Sequence, residues 1–325
     1  RDEALVGDPL IGGVTRTPGE ISNQFVGFEA GGPIMRDRIH FFAAGELENR
    51  QSPPDGFLVG VDDPILTQLV PDSVARLSNI LRSYGVDPGE AGSYTLENNL
   101  ANLFTRFDLQ IDEANSAMFR YNFASANDDP APNRLPGDAY ELSSNGTHIE
   151  SRNHSFLAQW LSTLSPTLSN DLLVSTQFLR DRETPTSLFP RIEVDMSGQY
   201  EGAGFLRELR AGSNFFSSES SLDQNILQIS NALTIAAGKH NLTIGAAFER
   251  FSIRRSHLPG SLGTYRFKSL ADLEANAPSQ YDIRLPIGGN LPETRFAVNQ
   301  FSAFVQEEVR FGDILNVHLG VRVDV

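Results

Sequence analysis

The 325-residue chain is 40% hydrophobic with a mean hydropathy of −0.24, and no apolar run reaches about eighteen residues, which excludes a transmembrane helix but not a wall of half-apolar strands. A net charge of −15 argues against nucleic acid as a partner and suits either a soluble acidic surface or a lumen and loops that accept cations or neutral solutes. With no cysteine, disulfides and thiolate metal sites are excluded.

Ten stretches alternate apolar and polar residues, joined by connections that are alternately short and long. A membrane-spanning strand needs roughly nine to eleven residues, and only its lipid side must be apolar, so its mark is period two and not bulk hydropathy. The first pair is predicted at about Gln24 to Ile34 and Ile39 to Asn49, closed by Met35-Arg36-Asp37-Arg38. A long connection follows, in which Val74, Leu77, Ile80, Leu81 and Tyr84 recur at helical spacing after Pro71-Asp72 and stop at Gly85. This predicts a helix packed on the barrel mouth. The second pair, Asn98 to Leu109 and Ser116 to Ala126, turns at Asp112-Glu113-Ala114-Asn115; Leu103, Phe107, Phe119 and Phe123 lie on the apolar side, with Asn102, Arg106, Asp108 and Arg120 opposite.

The third pair runs from Arg152 to Leu164 and from Asp171 to Arg182 around Ser165-Pro166-Thr167. Trp160, the only tryptophan, suits a membrane interface or, equally, a buried core. The fourth pair, Gln224 to Ile235 and Asn241 to Ile253, turns at Ala237-Gly238-Lys239, and a second short helix is expected over Ser269 to Asn276. In the last pair Phe301, Ala303, Val305, Val309 and Phe311 precede the Gly312-Asp313 turn; Leu315, Val317, Leu319, Val321 and Val323 follow it on one face, with Asn316, His318, Arg322 and Asp324 on the other. Glu307 breaks the pattern.

Four connections, near residues 50 to 97, 127 to 151, 183 to 223 and 254 to 295, are far longer than ordinary loops. Outer-membrane barrels combine short periplasmic turns with long extracellular loops in this way. On that topology both chain ends lie outside the cell, so the expectation is an interior slice of a larger barrel, and the ending VRVDV lacks a terminal aromatic residue.

Other motifs carry less. The acceptor patterns at Asn145, Asn153 and Asn241 are expected by chance in a bacterial envelope protein. His148 and His154 lack partners at ligand spacing. Asp62-Asp63 and Asp128-Asp129 lack the spaced oxygens of a calcium loop and read as solvated turn acids. No catalytic, cofactor-binding or metal residue can be named, the substrate-binding residues are unknown, and no nucleotide or hydrolase motif is present.

SNQFVGFEAGGPIMRDRIHFFAAGELENR resembles the early barrel of Oar-like TonB-dependent outer-membrane transporters, with its GGPI turn, basic pair and aromatic strand. TLENNLANLFTRFDLQIDEANSAMFRYNFASAND, STLSPTLSNDLLVS, ILQISNALTIAAGKHNLTIGAAFER, GTYRFKSLADLEANAPSQY and FSAFVQEEVRFGDILNVHLGVRVD resemble that family's later segments, in family order. Val309 stands where the family tends to have an aromatic residue.

The resemblance implies an all-β fold: residues 1–325 as part of one barrel domain, about ten antiparallel strands of roughly 22, with plug and remaining strands absent. A carboxypeptidase-regulatory-like module often precedes such barrels. The implied partners are outer-membrane lipid, the protein's own plug, a TonB-type energy-coupling protein and an unknown large solute; the implied setting is a Gram-negative outer membrane, with no enzyme activity and no cofactor. Lumen-facing Arg106, Arg120 and Glu46 are expected to pack as internal salt bridges against the plug more than to touch ligand. The alternatives are a ten-stranded outer-membrane surface enzyme of protease type, which needs Asp and His pairs at the outer strand ends, and a soluble carbohydrate-binding β-protein, which needs a buried apolar face.

Overall fold

The computed structural model describes residues 10–11, 14–15, 21–54, 71–134, 139–197, 208–312 and 314–325. In chain order the strands begin with a two-residue pair, β1 (Leu10–Ile11) and β2 (Val14–Thr15), then β3 (Ser22–Met35), β4 (Ile39–Ser52), β5 (Leu96–Gln110) and β6 (Asn115–Asp128). They continue with β7 (Ala139–Glu141), β8 (Thr147–Ser165), β9 (Leu168–Pro185), β10 (Arg191–Asp195), β11 (Glu208–Ala211) and β12 (Ser220–Ala237). The last are β13 (His240–His257), β14 (Thr264–Phe267), β15 (Gln280–Asp282), β16 (Glu293–Phe311) and β17 (Leu315–Asp324). Two helices, α1 (Pro71–Ser83) and α2 (Leu270–Glu274), lie in the connections.

The long strands form one antiparallel wall of ten, in the order β3-β4-β5-β6-β8-β9-β12-β13-β16-β17. Each pairs with its wall neighbours in sequence, and among the described residues β3 and β17 do not pair with each other, so the sheet is open. All five short turns lie at one end, at the predicted positions; Asp313 of the last is outside the described residues. Local chemistry sets them. Gly238 and Gly312 take φ of +63° and +61°, which a side chain disfavours, and the Asp112 carboxylate accepts from the backbone N–H of Ala114 and Asn115.

Register joins the alternating residues into two faces. One row runs Ala158, Val174, Ile229, Phe248, Phe301, and another joins Leu233, Ile244, Val305 and Val321. These side chains are not covered by protein: Phe301 is 59% exposed, Leu319 61% and Val321 67%. Apart from Leu96, Ala117, Val309 and the glycines Gly45 and Gly245, the buried wall residues are polar. An apolar surface of this extent, alternating strand by strand with a polar one, fits contact with hydrocarbon and disfavours the soluble β-protein. Trp160 belongs to this face near the short-turn end; it is exposed, and its indole N–H donates to Ser162 Oγ at 2.7 Å. Glu307, the break in the pattern, sits opposite Leu319 and Leu242 and is held by His240 Nδ1 at 2.7 Å beside the Gly238 turn.

The apolar core lies elsewhere. At the other end of the wall the connections assemble a mixed sheet in the order β15-β14-β10-β11-β7, with β10 parallel to β14 and β11 parallel to β7. One face carries Tyr140, Ile192, Val194, Leu209 and Phe267, which pack with Val74, Leu77, Ile80 and Leu81 of α1 and Leu270 and Leu273 of α2. Both helices form where predicted. Gly85 (φ +80°) ends α1 and Ser269 Oγ caps α2, but α1 packs on this small sheet and not on the barrel mouth, because the sheet supplies the apolar face that α1 needs. The described parts of the four long connections therefore fold as one cap.

Candidate functional site

The polar face of the wall and the cap above it are the surfaces that a solute would meet. On the polar face Arg106 of β5 stands opposite Arg120 of β6. Arg106 is committed to the wall: its guanidinium binds Asp108 through both Nε and Nη2, at 2.6 to 3.0 Å. Arg120 Nε is buried and has no hydrogen-bond partner among the described residues. Glu46 lies opposite Asn102 on β5, four residues from Arg106 and so about 13 Å along the strand; the three expected lumen residues do not converge. A recess of about 300 Å³ opens beside Arg106 near the short turns, lined by Arg38, His40, Asp108, Gln110 and Gln159.

In the cap, the sheet face away from the helices is charged. Arg210 bridges Glu141 at 3.3 Å and Glu208 at 2.8 Å, Glu193 takes Arg191 and Arg266 at 2.7 Å each, and Arg266 also pairs with Asp282. Burial lowers the Arg191 pKa, against the opposing pull of Glu193. For Arg266 burial acts downward too, but Glu193 and Asp282 outweigh it and raise the value. Arg134 is 1% exposed and ties two connections together: Nε donates to the Glu141 carbonyl at 3.1 Å and Nη1 to that of Gly92 at 2.8 Å. Its guanidinium lies 4.9 Å from the Tyr140 ring centre and 5.5 Å from that of Tyr94. Burial lowers the Arg134 pKa and pushes the Tyr94 phenol up to about 12.

The surface-enzyme alternative required Asp–His pairs at the outer strand ends. One exists: His148 Nδ1 lies 2.7 Å from Asp129 Oδ1, a partner that sequence spacing did not show. His154 and His240 do not join it, since His154 bonds Tyr121 and His240 lies at the opposite end with Glu307. Among the described residues no group of three or more histidine or acidic side chains is placed to hold a metal, and Asp62-Asp63 lie outside them. Asn145 is 1% exposed and donates to the carbonyls of Gly212 and Ser213, so it is a structural residue of the cap.

A lipid-facing antiparallel wall with tight turns at one end and a folded cap at the other defines a bacterial outer-membrane barrel protein. The chain belongs to the outer membrane beta barrel domain family, whose model matches residues 79–325, and its location is the Gram-negative outer membrane. Among solved structures it is similar to the outer membrane transporter YddB from Escherichia coli, at 9% identity and a TM-score of 0.63, over 98% of this chain and 35% of that one. It also matches the open form of the ferric-catecholate import receptor Fiu from E. coli K12 (11% identity, TM-score 0.49, 94% and 47% covered) and the copper transporter OprC (13%, 0.46, 95% and 37%). These identities speak to the fold, and the chain spans about a third of YddB's length. No curated protein matches it by sequence.

Proposed function

We propose that the chain is one stretch of the wall, with the outer cap, of a TonB-dependent transporter that captures a large solute and takes it up with energy from the inner membrane. The observation that carries this is the cap: the described parts of all four long connections are knitted into one folded unit over a single end of the wall. An ordered cap offers fixed binding geometry at the outer mouth, where a solute arrives. Similarity to YddB over 35% of that chain supports a larger barrel, and a barrel of roughly 22 strands is wide enough to require a plug. On this reading Arg120, unpartnered at its buried Nε among the described residues, meets the plug or the passing solute. The barrel performs no chemistry, and its partners are lipid, plug, energy-coupling protein and solute.

A strain lacking the gene, compared with the parent on candidate siderophores, oligosaccharides and peptides, tests the proposal. The expected result is lost uptake of one solute, reproduced when the energy-coupling protein is removed instead. Uptake through this protein that persists without energy coupling would mark it as a passive channel and overturn the reading.

A further inference from the structure

On the wall's outer face, just past the apolar band at the cap end, one register row crosses five adjacent strands: Arg152, Arg180, Asp223, Arg254 and Arg295. With neighbouring strands about 4.8 Å apart, the row is about 19 Å wide. Its parity is that of the lipid-facing residues. Arg180 and Arg182 continue the series Leu172, Val174 and Phe178 along β9, and Arg250 and Arg254 continue Ile244, Ala246 and Phe248 along β13.

Asp223 holds the row together. Its side chain is 9% exposed, and it faces Arg180 Nε at 3.6 Å, Arg182 Nη2 at 2.7 Å and the Arg254 guanidinium. Among the described residues Arg152 and Arg295 pair with Glu150 and Glu293, two residues along their own strands, and they keep side-chain exposures of 58% and 68%. Five guanidiniums, those of Arg152, Arg180, Arg182, Arg254 and Arg295, stand against three carboxylates, a positive excess on a chain whose net charge is −15. A recess of about 590 Å³, in the size range of ligand pockets, lies among Arg180, Arg182, Asp223, Asn225, Arg254 and Arg295.

We propose that this row is a seat for the phosphate groups of the phosphorylated glycolipid that forms the outer leaflet, with Asp223 fixing the guanidiniums around it. Arginine forks bind phosphate oxygens in pairs, and a buried carboxylate between them prevents mutual repulsion from splaying them apart. Height selects the occupant: the row lies at the end bearing the long connections, which faces the glycolipid leaflet, whereas phospholipid fills the leaflet at the short turns. The proposal rests on the orientation in the preceding subsection and not on the transported solute.

The test uses the full-length protein in detergent, titrated by native mass spectrometry with bisphosphorylated lipid A, dephosphorylated lipid A and phosphatidylglycerol. The double variant Arg152→Gln/Arg295→Gln leaves the partners of Asp223 intact, and its unboiled gel mobility reports folding. Lipid A is expected to bind the parent at least about tenfold more tightly than the variant, and about tenfold more tightly than either other lipid. Arg152→Lys/Arg295→Lys is expected to recover part of the loss. Equal binding by parent and Gln variant, or of dephosphorylated lipid A or phosphatidylglycerol to the parent, overturns the proposal. A cysteine replacing Gly238 separates its failure from that of the orientation: labelling only after cells are permeabilised keeps the orientation, whereas labelling on intact cells removes both.

Discussion

Placing an arginine at Val305 and, separately, at Gln306 asks one residue-long question of the wall. Val305 lies on the apolar face between Ile244 and Val321, whereas Gln306 points to the other side, between Thr243 and Gly320. From Phe311 to Phe301 the apolar series of β16 covers ten residue steps, about 34 Å along the strand; at a tilt near 40° this is roughly 26 Å across the bilayer. Val305 is six steps from Phe311, about 16 Å deep and near the middle of that band. An arginine at such depth on a lipid face costs about 2–4 kcal/mol, a roughly 30- to 900-fold shift in the folding equilibrium. At Gln306 the guanidinium enters a polar, hydrated face, and the expected cost is below about 0.5 kcal/mol. Urea titrations of the full-length protein folded into lipid vesicles, read by gel mobility and tryptophan fluorescence, supply the comparison, with Val305→Ala to subtract lost packing. A cost at Gln306 equal to or above that at Val305 would refute the assignment of faces.

Further outcomes concern the cap. Arg134→Met removes a buried guanidinium from the Glu141 and Gly92 carbonyls and should destabilise the cap by about 1–3 kcal/mol for each carbonyl left unpaired, seen as protease cleavage in the connections while the wall keeps its gel mobility. Leu77→Ala opens a cavity beneath α1 and should cost about 2–5 kcal/mol with the same split between cap and wall. Because burial pushes the Tyr94 pKa up to about 12, against the opposing charge of Arg134, the folded cap favours the neutral phenol. That contribution is intact below the ordinary tyrosine value near 10 and is lost as pH rises from about 10 through about 12. Absorbance at 295 nm during alkaline titration should show a late tyrosine component that Tyr94→Phe diminishes by one phenol, and an undiminished component in the variant would refute the assignment.

The wall was legible because its determinants are local. Lipid demands an apolar residue at every second position, and the turns at Asp37, Asp112, Pro166, Gly238 and Gly312 announce themselves within a few residues. Strand ends on the cap side were less so: Ser220 to Asp223 and Arg254 to His257 extend their strands beyond hydrocarbon, where nothing enforces alternation. The cap sheet left almost no trace. Ala139–Glu141 and Glu208–Ala211 are too short to show a period, and they pair in parallel across a separation that no sequence window spans. The arginine row did carry the lipid-facing parity at Arg180 and Arg254, yet only the register brings Arg152 and Arg295 into line with them.

The chain's lack of cysteine permits a clean scan of the final strand, with one spin-labelled cysteine at a time from Leu315 to Val323 in lipid vesicles. Leu315, Val317, Leu319, Val321 and Val323 should be open to oxygen and closed to a water-soluble nickel chelate, with Asn316, His318, Gly320 and Arg322 showing the reverse. Loss of that two-residue alternation, or its inversion, would contradict a wall with one face in lipid.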